Sequence, residues 1–180
     1  EYGIHMMTGS CILDNNYWSK SIKILIYNII KIEKEVDIKI KYVNIGGGIG
    51  IPYKLDEKSV DLEELVDNIY NIFIKNNREL PVLYMENGRY ITGPYGWLIS
   101  KCNCVKVSFD SIYYGLDACM SNLMRPGMYN SYHHISVLNK NNNNLINANV
   151  VGTLCENNDW FAKKRLLPLC CEGDIFIIHD

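Results

Sequence analysis

Several short stretches of this sequence carry side chains of the kind that do chemistry. Gly46-Gly47-Gly48-Ile49-Gly50 follows a β-rich run. Adjacent glycines let backbone N–H groups approach an anion, usually a phosphate; the same glycines also make an ordinary tight turn. Thr8-Gly9-Ser10 offers a hydroxyl, that of Ser10, beside accessible backbone. Glu86 and Arg89 bracket Asn87-Gly88. They read as a surface ion pair of little worth. Alternatively, the carboxylate holds a proton on a ring nitrogen and the guanidinium clamps a carboxylate or phosphate through two parallel hydrogen bonds. Cys155-Glu156-Asn157-Asn158-Asp159 puts a thiol among carboxylates. A lone cysteine is usually a small buried hydrophobe, but a thiol so placed keeps its proton and suits a proton donor better than a thiolate nucleophile. Arg125-Pro126 and Tyr129 lie in a run of little charge, Met120 to Tyr132, which continues into His133-His134. Neighbours on a strand face opposite ways, so one buried and one exposed histidine are expected rather than a metal pair.

These residues need elements to hold them. The first half alternates strand and helix. Residues 2–7 form a strand candidate that ends at Thr8-Gly9-Ser10. A helix follows, capped at Asp14 or Asn15, with Ile22, Leu25, Ile26, Ile29 and Ile30 recurring at three and four. Ile38 to Ile45 is a second strand running into the glycines. Asp61 caps a second helix with Glu64 at capping-box spacing, and Leu65, Ile69 and Ile72 share its apolar face. Leu80 to Met85 is a third strand, ending at Glu86-Asn87-Gly88-Arg89. A strand–helix repeat implies parallel strands, which places all three glycine-bearing loops at one mouth of the sheet, where α/β folds put their sites. About eight such units close a barrel, so the remaining units are expected before Glu1. After Arg89 short strand-like runs dominate: Trp97 to Ser100, Val105 to Phe109, His133 to Leu138, Asn149 to Leu154 and Ile175 to Ile178. The expected fold class is therefore α/β plus all-β. Residues 1–92 are read as part of an α/β barrel and residues 93–180 as a mainly antiparallel β domain. Asn141-Asn142-Asn143-Asn144 reads as a solvated loop insert.

Composition narrows the function classes. The chain has 180 residues and a net charge of -2, with 48% hydrophobic and 21% charged residues. That is ordinary globular usage and excludes wholesale disorder. It lacks the basic excess of a nucleic-acid binder, and no apolar run reaches the length of a membrane span. Seven cysteines without paired spacing point to reduced thiols rather than a structural zinc or a disulfide framework. A cytoplasmic setting, or a plastid or other organelle in a eukaryote, fits them. Both ends fall in apolar runs, so a piece cut from a longer chain is expected.

Taken in order, several motifs resemble one family. They are Gly3-Ile4-His5-Met6-Met7-Thr8-Gly9-Ser10, Asn44-Ile45-Gly46-Gly47-Gly48-Ile49-Gly50-Ile51-Pro52-Tyr53, Glu86-Asn87-Gly88-Arg89-Tyr90, Asp117-Ala118-Cys119-Met120, Met124-Arg125-Pro126-Gly127-Met128-Tyr129, Tyr132-His133-His134-Ile135 and Cys155-Glu156-Asn157-Asn158-Asp159. The string is similar to the pyridoxal-phosphate decarboxylases with an alanine-racemase-like barrel, and among them to the diaminopimelate decarboxylases. The resemblance covers essentially the whole chain.

It implies the last three or so βα units of a (β/α)8 barrel that binds pyridoxal 5'-phosphate, followed by a β domain. It implies that Ser10, Gly46, Gly47, Gly48, Gly88 and Arg89 surround the cofactor phosphate or the substrate beside it, and that Glu86 pairs with the pyridine nitrogen. Arg89, Arg125 and Tyr129 would take the distal carboxylate of an amino-acid substrate and Glu156 its distal ammonium, while Cys155 would return a proton to the carbon that loses CO2. Cys155 and Glu156 would serve the site of a second subunit, so the implied partner is another copy in a homodimer, with no metal. The lysine that carries the cofactor would lie before Glu1, and a cofactor-contacting tyrosine beyond Asp180. The implied reaction turns meso-2,6-diaminopimelate into L-lysine and CO2. The alternatives are a decarboxylase of ornithine, arginine or a carboxylated polyamine, or a non-catalytic regulatory homologue. The sequence departs from the family pattern at Met7, where a ring-stacking histidine is common and where a thioether is expected to pack without hydrogen bonding. It departs again at Asn87 in place of proline and at Cys119 in place of a small glycine.

Overall fold

A computed structural model describes residues 1–141 and 143–180. Of the asparagine insert, Asn142 lies outside the described residues. The chain divides into two compact units, Glu1–Pro52 with Asp56–Pro94, and Tyr53–Leu55 with Tyr95–Asp180. Tyr53–Leu55 thus belong with the second unit although they lie within the stretch read as the first.

The first unit runs β1 (Tyr2–His5), α1 (Asn15–Val36), β2 (Ile40–Asn44), α2 (Leu62–Lys75), β3 (Val82–Tyr84) and a short α3 (Gly88–Thr92). The strands form a parallel sheet in the order β1-β2-β3, with His5 opposite Asn44 and Asn44 opposite Tyr84. Both long helices start as the sequence predicts. The Asp14 carboxylate accepts from Asn16 N–H at 2.8 Å, and that of Asp61 from Glu64 N–H at 3.0 Å. Each satisfies a donor that the first helical turn leaves without a partner. Glu64 does not close a reciprocal box; its Oε2 accepts from Asn15 Nδ2 at 2.6 Å and so ties the start of α2 to the start of α1. Trp18, Ile22, Ile26 and Ile29 of α1 and Leu65, Ile69 and Phe73 of α2 pack with Val43 and Ile45 of the second strand segment into one core. The opposite sheet face exposes Tyr2, Tyr42, Val82 and Tyr84. Tyr42 and Tyr84 meet edge-on, ring centroids 5.9 Å apart. The Tyr42 ring lies across Gly3, where any Cβ would sit 2.0 Å from it.

The second unit holds β4 (Trp97–Ser108), β5 (Ser111–Leu116), α4 (Arg125–Tyr129), β6 (Ile135–Val137), β7 (Leu145–Val151), β8 (Trp160–Pro168) and β9 (Ile175–His179). Its sheet runs β6-β9-β4-β5-β7-β8. It is mixed, because β5 and β7 pair in parallel while the other neighbours are antiparallel. The two runs expected at Trp97–Ser100 and Val105–Phe109 are one long strand. Its first part pairs with β9 and its second with β5, and the register shifts between Cys102 and Cys104. The bend lets one strand serve both ends of the sheet. The sheet nearly closes: Arg165 on edge strand β8 donates to the His133 carbonyl, just before edge strand β6, at 2.9 Å. Cys102, Tyr114, Val150, Phe161, Leu167 and Phe176 fill the interior. Tyr114 pays for its buried hydroxyl by accepting from Cys170 N–H at 3.1 Å and donating to the Pro168 carbonyl at 3.3 Å. No helix among the described residues is long and apolar enough to cross a membrane.

Candidate active site

In the first unit, the parallel ladder continues past the strands and draws their three loops together. Met6 N–H donates to the Asn44 carbonyl at 2.9 Å, Ile45 N–H to Tyr84 at 3.0 Å and Glu86 N–H to Gly46 at 2.9 Å. Ile12 N–H reaches Gly48 and Gly50 N–H returns to Ile12, each at 2.9 Å. The Tyr17 hydroxyl, in the first turn of α1, donates to the Thr8 carbonyl and pins the first loop.

The glycines make this convergence sterically possible. A Cβ on Gly47 would lie 2.4 Å from the Glu86 carbonyl oxygen, and one on Gly48 2.3 Å from that of Gly9. Gly48 also sits at φ +104, in the region that disfavours a side chain. So Gly47 and Gly48 are where neighbouring backbones touch. Gly46 N–H is taken by Asn44 Oδ1 at 2.8 Å. Gly47 N–H donates to the Met7 sulfur, at 3.3 Å. Met7 therefore does accept a hydrogen bond, contrary to the expectation of mere packing; because a thioether is a weak acceptor, an anion can displace it. Gly88 differs from the others: among the described residues nothing lies within 4 Å of a Cβ built there.

Glu86 stands at the middle of this mouth. Its Oε1 accepts from Asn44 Nδ2 at 2.6 Å, and His5 Nε2 lies 3.6 Å from the same oxygen. The carboxylate is half exposed. It is held from β1 and β2 by short side chains while its face stays open to a ligand. Arg89 follows on the first turn of α3, partly exposed, and Ser10 is exposed on the first loop. Ser10, Gly46, Gly47, Gly48, Glu86, Gly88 and Arg89 thus gather at one end of the sheet. Neither Asn44 nor His5 is given a role by sequence reasoning. The available signal was a polar residue, His5 and Asn44, at the end of each of the first two strands, ahead of a glycine-bearing loop.

In the second unit, Arg125 begins α4 and Tyr129 ends it, exposed. Arg125 Nη1 donates to the Tyr53 hydroxyl at 2.8 Å and lies 3.0 Å from His133 Nε2. The guanidinium also rides over the Tyr53 ring, 4.9 Å from its centroid. His133 is fully buried and His134 exposed, the expected split, although both precede β6, which begins at Ile135 rather than at His133. Cys155 and Glu156 lie on the turn between β7 and β8, both exposed. The strand before them stops at Val151, short of the expected Leu154. Asp159 anchors that turn. Its buried carboxylate accepts from Met120 N–H and Leu154 N–H, each at 2.6 Å. Gly127 of α4 leaves room for the same turn, since a Cβ there would lie 2.2 Å from the Asn158 carbonyl oxygen. One buried carboxylate therefore holds the Cys155-Glu156 turn, and α4, which carries Arg125 and Tyr129, packs against that turn.

Parallel strands ending in a glycine-laced mouth with an anchored carboxylate, together with a mixed β unit, define a recognisable class. Residues 17–180 match the family model described as pyridoxal-dependent decarboxylase, C-terminal sheet domain, and the chain belongs to that family. It is 34% identical over 183 residues to the diaminopimelate decarboxylase of Methanothermobacter thermautotrophicus, which covers 99% of this chain and 42% of that protein. It is 42% identical over 151 residues to protein TabA of Pseudomonas amygdali pv. tabaci, covering 83% and 36%. Among solved structures, the diaminopimelate decarboxylase of M. jannaschii in complex with L-lysine superposes with a TM-score of 0.88 at 33% identity, over 98% of this chain and 41% of that one. The chain thus spans about two fifths of the length of such relatives.

Proposed function

We propose that this chain is part of a pyridoxal-phosphate-dependent diaminopimelate decarboxylase, which removes CO2 from the D-centre of meso-2,6-diaminopimelate to give L-lysine. Its first unit is read as the last βα units of a (β/α)8 barrel and its second as the β domain that completes the site. The observation that carries the reading is Glu86, a carboxylate anchored by Asn44 at the glycine-laced end of the parallel strands. The residues present fit the cofactor. Glu86 would hold the proton of a pyridine nitrogen, and the weakly capped Gly47 amide, with Ser10, Gly46, Gly48, Gly88 and Arg89, would receive a phosphate. When bound, pyridoxal 5'-phosphate supplies the electron sink for loss of CO2.

The chain's own residues do the rest. Arg89, Arg125 and Tyr129 bind the distal carboxylate and Glu156 the distal ammonium. Cys155 gives the proton to the carbon from which CO2 has left. Cys155 and Glu156 reach the site of a second copy, so the working unit is a homodimer. The charges favour this substrate. Ornithine and lysine end in an ammonium alone and leave Arg125 without an anion, whereas diaminopimelate meets both charges. Side-by-side turnover of meso-diaminopimelate, ornithine, arginine and a carboxylated polyamine by the intact protein tests the reading. L-Lysine release is expected, with kcat/KM for diaminopimelate at least about 100-fold above the others, the scale at which a built charge site discriminates. A preference for ornithine overturns it.

A further inference from the structure

His133 has no part in the proposed chemistry, yet it is fully buried and touches the guanidinium assigned to the substrate carboxylate. Its two ring nitrogens face partners of fixed character. Nδ1 lies 3.0 Å from the His179 carbonyl oxygen, which can only accept, so Nδ1 carries a hydrogen. Nε2 lies 3.0 Å from Arg125 Nη1, which can only donate, so Nε2 carries a lone pair. Both partners demand the same neutral tautomer. A doubly protonated ring would set an N–H against a guanidinium N–H.

The consequence falls on Arg125. One hydrogen of Nη1 goes to His133 and the other to the Tyr53 hydroxyl at 2.8 Å. The Tyr53 ring lies under the guanidinium at 4.9 Å and edge-on to the His133 ring at 5.2 Å. A guanidinium so held on one nitrogen is fixed in plane, and its Nε–H and Nη2–H edge becomes a preset two-pronged donor, the geometry that matches a carboxylate. We propose that His133 is a positioning residue for substrate specificity, a neutral imidazole that clamps Arg125 so that its remaining fork is aimed at the distal carboxylate of the substrate. The proposal rests on the reading of Arg125 given under Proposed function. Preorganisation of this kind saves the entropy of ordering a long side chain at the moment of binding.

The test uses His133→Leu and His133→Gln in the intact protein. The glutamine amide oxygen can stand where Nε2 stands and accept from Arg125, whereas leucine fills the space without accepting. With diaminopimelate, His133→Leu is expected to raise KM by about 10- to 100-fold, the worth of one charge-assisted hydrogen bond, with kcat within about threefold of the parent. His133→Gln is expected to restore KM to within about fivefold. A leucine variant with the parent's KM, or one that loses kcat instead, overturns the proposal, as does a glutamine variant no better than leucine. Independently of turnover, long-range proton–nitrogen spectra of histidine-labelled protein are expected to show His133 protonated at Nδ1 alone near neutral pH, and an Nε2–H or doubly protonated ring overturns the proposal. If the parent turns over no diaminopimelate, the functional reading falls on that ground, and the tautomer still decides the clamp.

Discussion

Glu86 shows how a few short side chains make a usable charge. The carboxylate is open to solvent on one side and tied by Asn44 on the other, so it keeps its orientation without being buried. Glu86→Gln tests what the charge does, because glutamine can turn its oxygen to Asn44 and keep the anchor. In the intact protein turnover is expected to fall by about 10²- to 10³-fold, the usual cost of losing one preorganised electrostatic partner. The melting temperature is expected to stay within about 3 °C, as for other surface substitutions. Steady-state kinetics beside a thermal melt checks both. The spacing Glu86-Asn87-Gly88-Arg89 was legible in the sequence as a carboxylate and a guanidinium at a strand end. Asn44 was not, because it ends β2 while Glu86 lies in the loop after β3, and the two meet only through the register that sets Asn44 opposite Tyr84.

Elements differ in how openly they declare themselves. α1 and α2 follow from local rules, apolar residues at three and four behind an aspartate cap, and both begin where those rules put them. Asp61→Ala removes one such cap and is expected to lower stability by about 1 kcal/mol, read as a shift of the denaturant midpoint with the slope unchanged. β8 obeyed no such pattern. Lys163-Lys164-Arg165 interrupts its apolar run, and Lys164 has a positive φ that breaks the alternation. Its charges find partners only in the folded sheet: Lys163 lies 4.0 Å over the Trp160 ring, and Arg165 4.0 Å over the Tyr132 ring. β5, Ser111–Leu116, was hidden for a related reason. Tyr113, Tyr114 and Gly115 alternate poorly in polarity, and Tyr114 is buried only because its hydroxyl is satisfied by Cys170 and Pro168. The β4 segment Lys101-Cys102-Asn103-Cys104 looked like a break between two strands and is instead the bend within one.

At the scale of the whole molecule, stability depends on charges that join distant segments. Glu33 near the end of α1 accepts from Ile40 N–H and from Arg78, each at 2.7 Å, and so links α1, β2 and the loop before β3. Burial pushes its carboxyl up, but the Ile40 and Arg78 hydrogen bonds and the charges of Arg78 and Lys39 outweigh it and hold the group below its ordinary value of 4.5. A carboxyl held low in the fold binds its proton more readily in the unfolded chain. Its stabilisation is therefore complete above that ordinary value and is lost as pH falls through the lower folded one. Glu33→Gln is expected to melt earlier than the parent near neutral pH, with the difference narrowing in strong acid. Thermal melts across that range check this, and a constant difference would sink it.

The helices, their caps, the order of strand-end loops and the kinds of groups those loops carry are legible from the residues alone, because each depends on neighbours within a turn or two. The folded arrangement settles that Gly47 and Gly48 are points of backbone contact and that Asn44 and His5 attend Glu86. It likewise settles that Asp159 anchors the Cys155 turn and that His133 meets Arg125. These are pairings between segments far apart in the chain. Hydrogen bonds and steric clearance act over a few ångströms, and the sheet register decides which distant residues come that close.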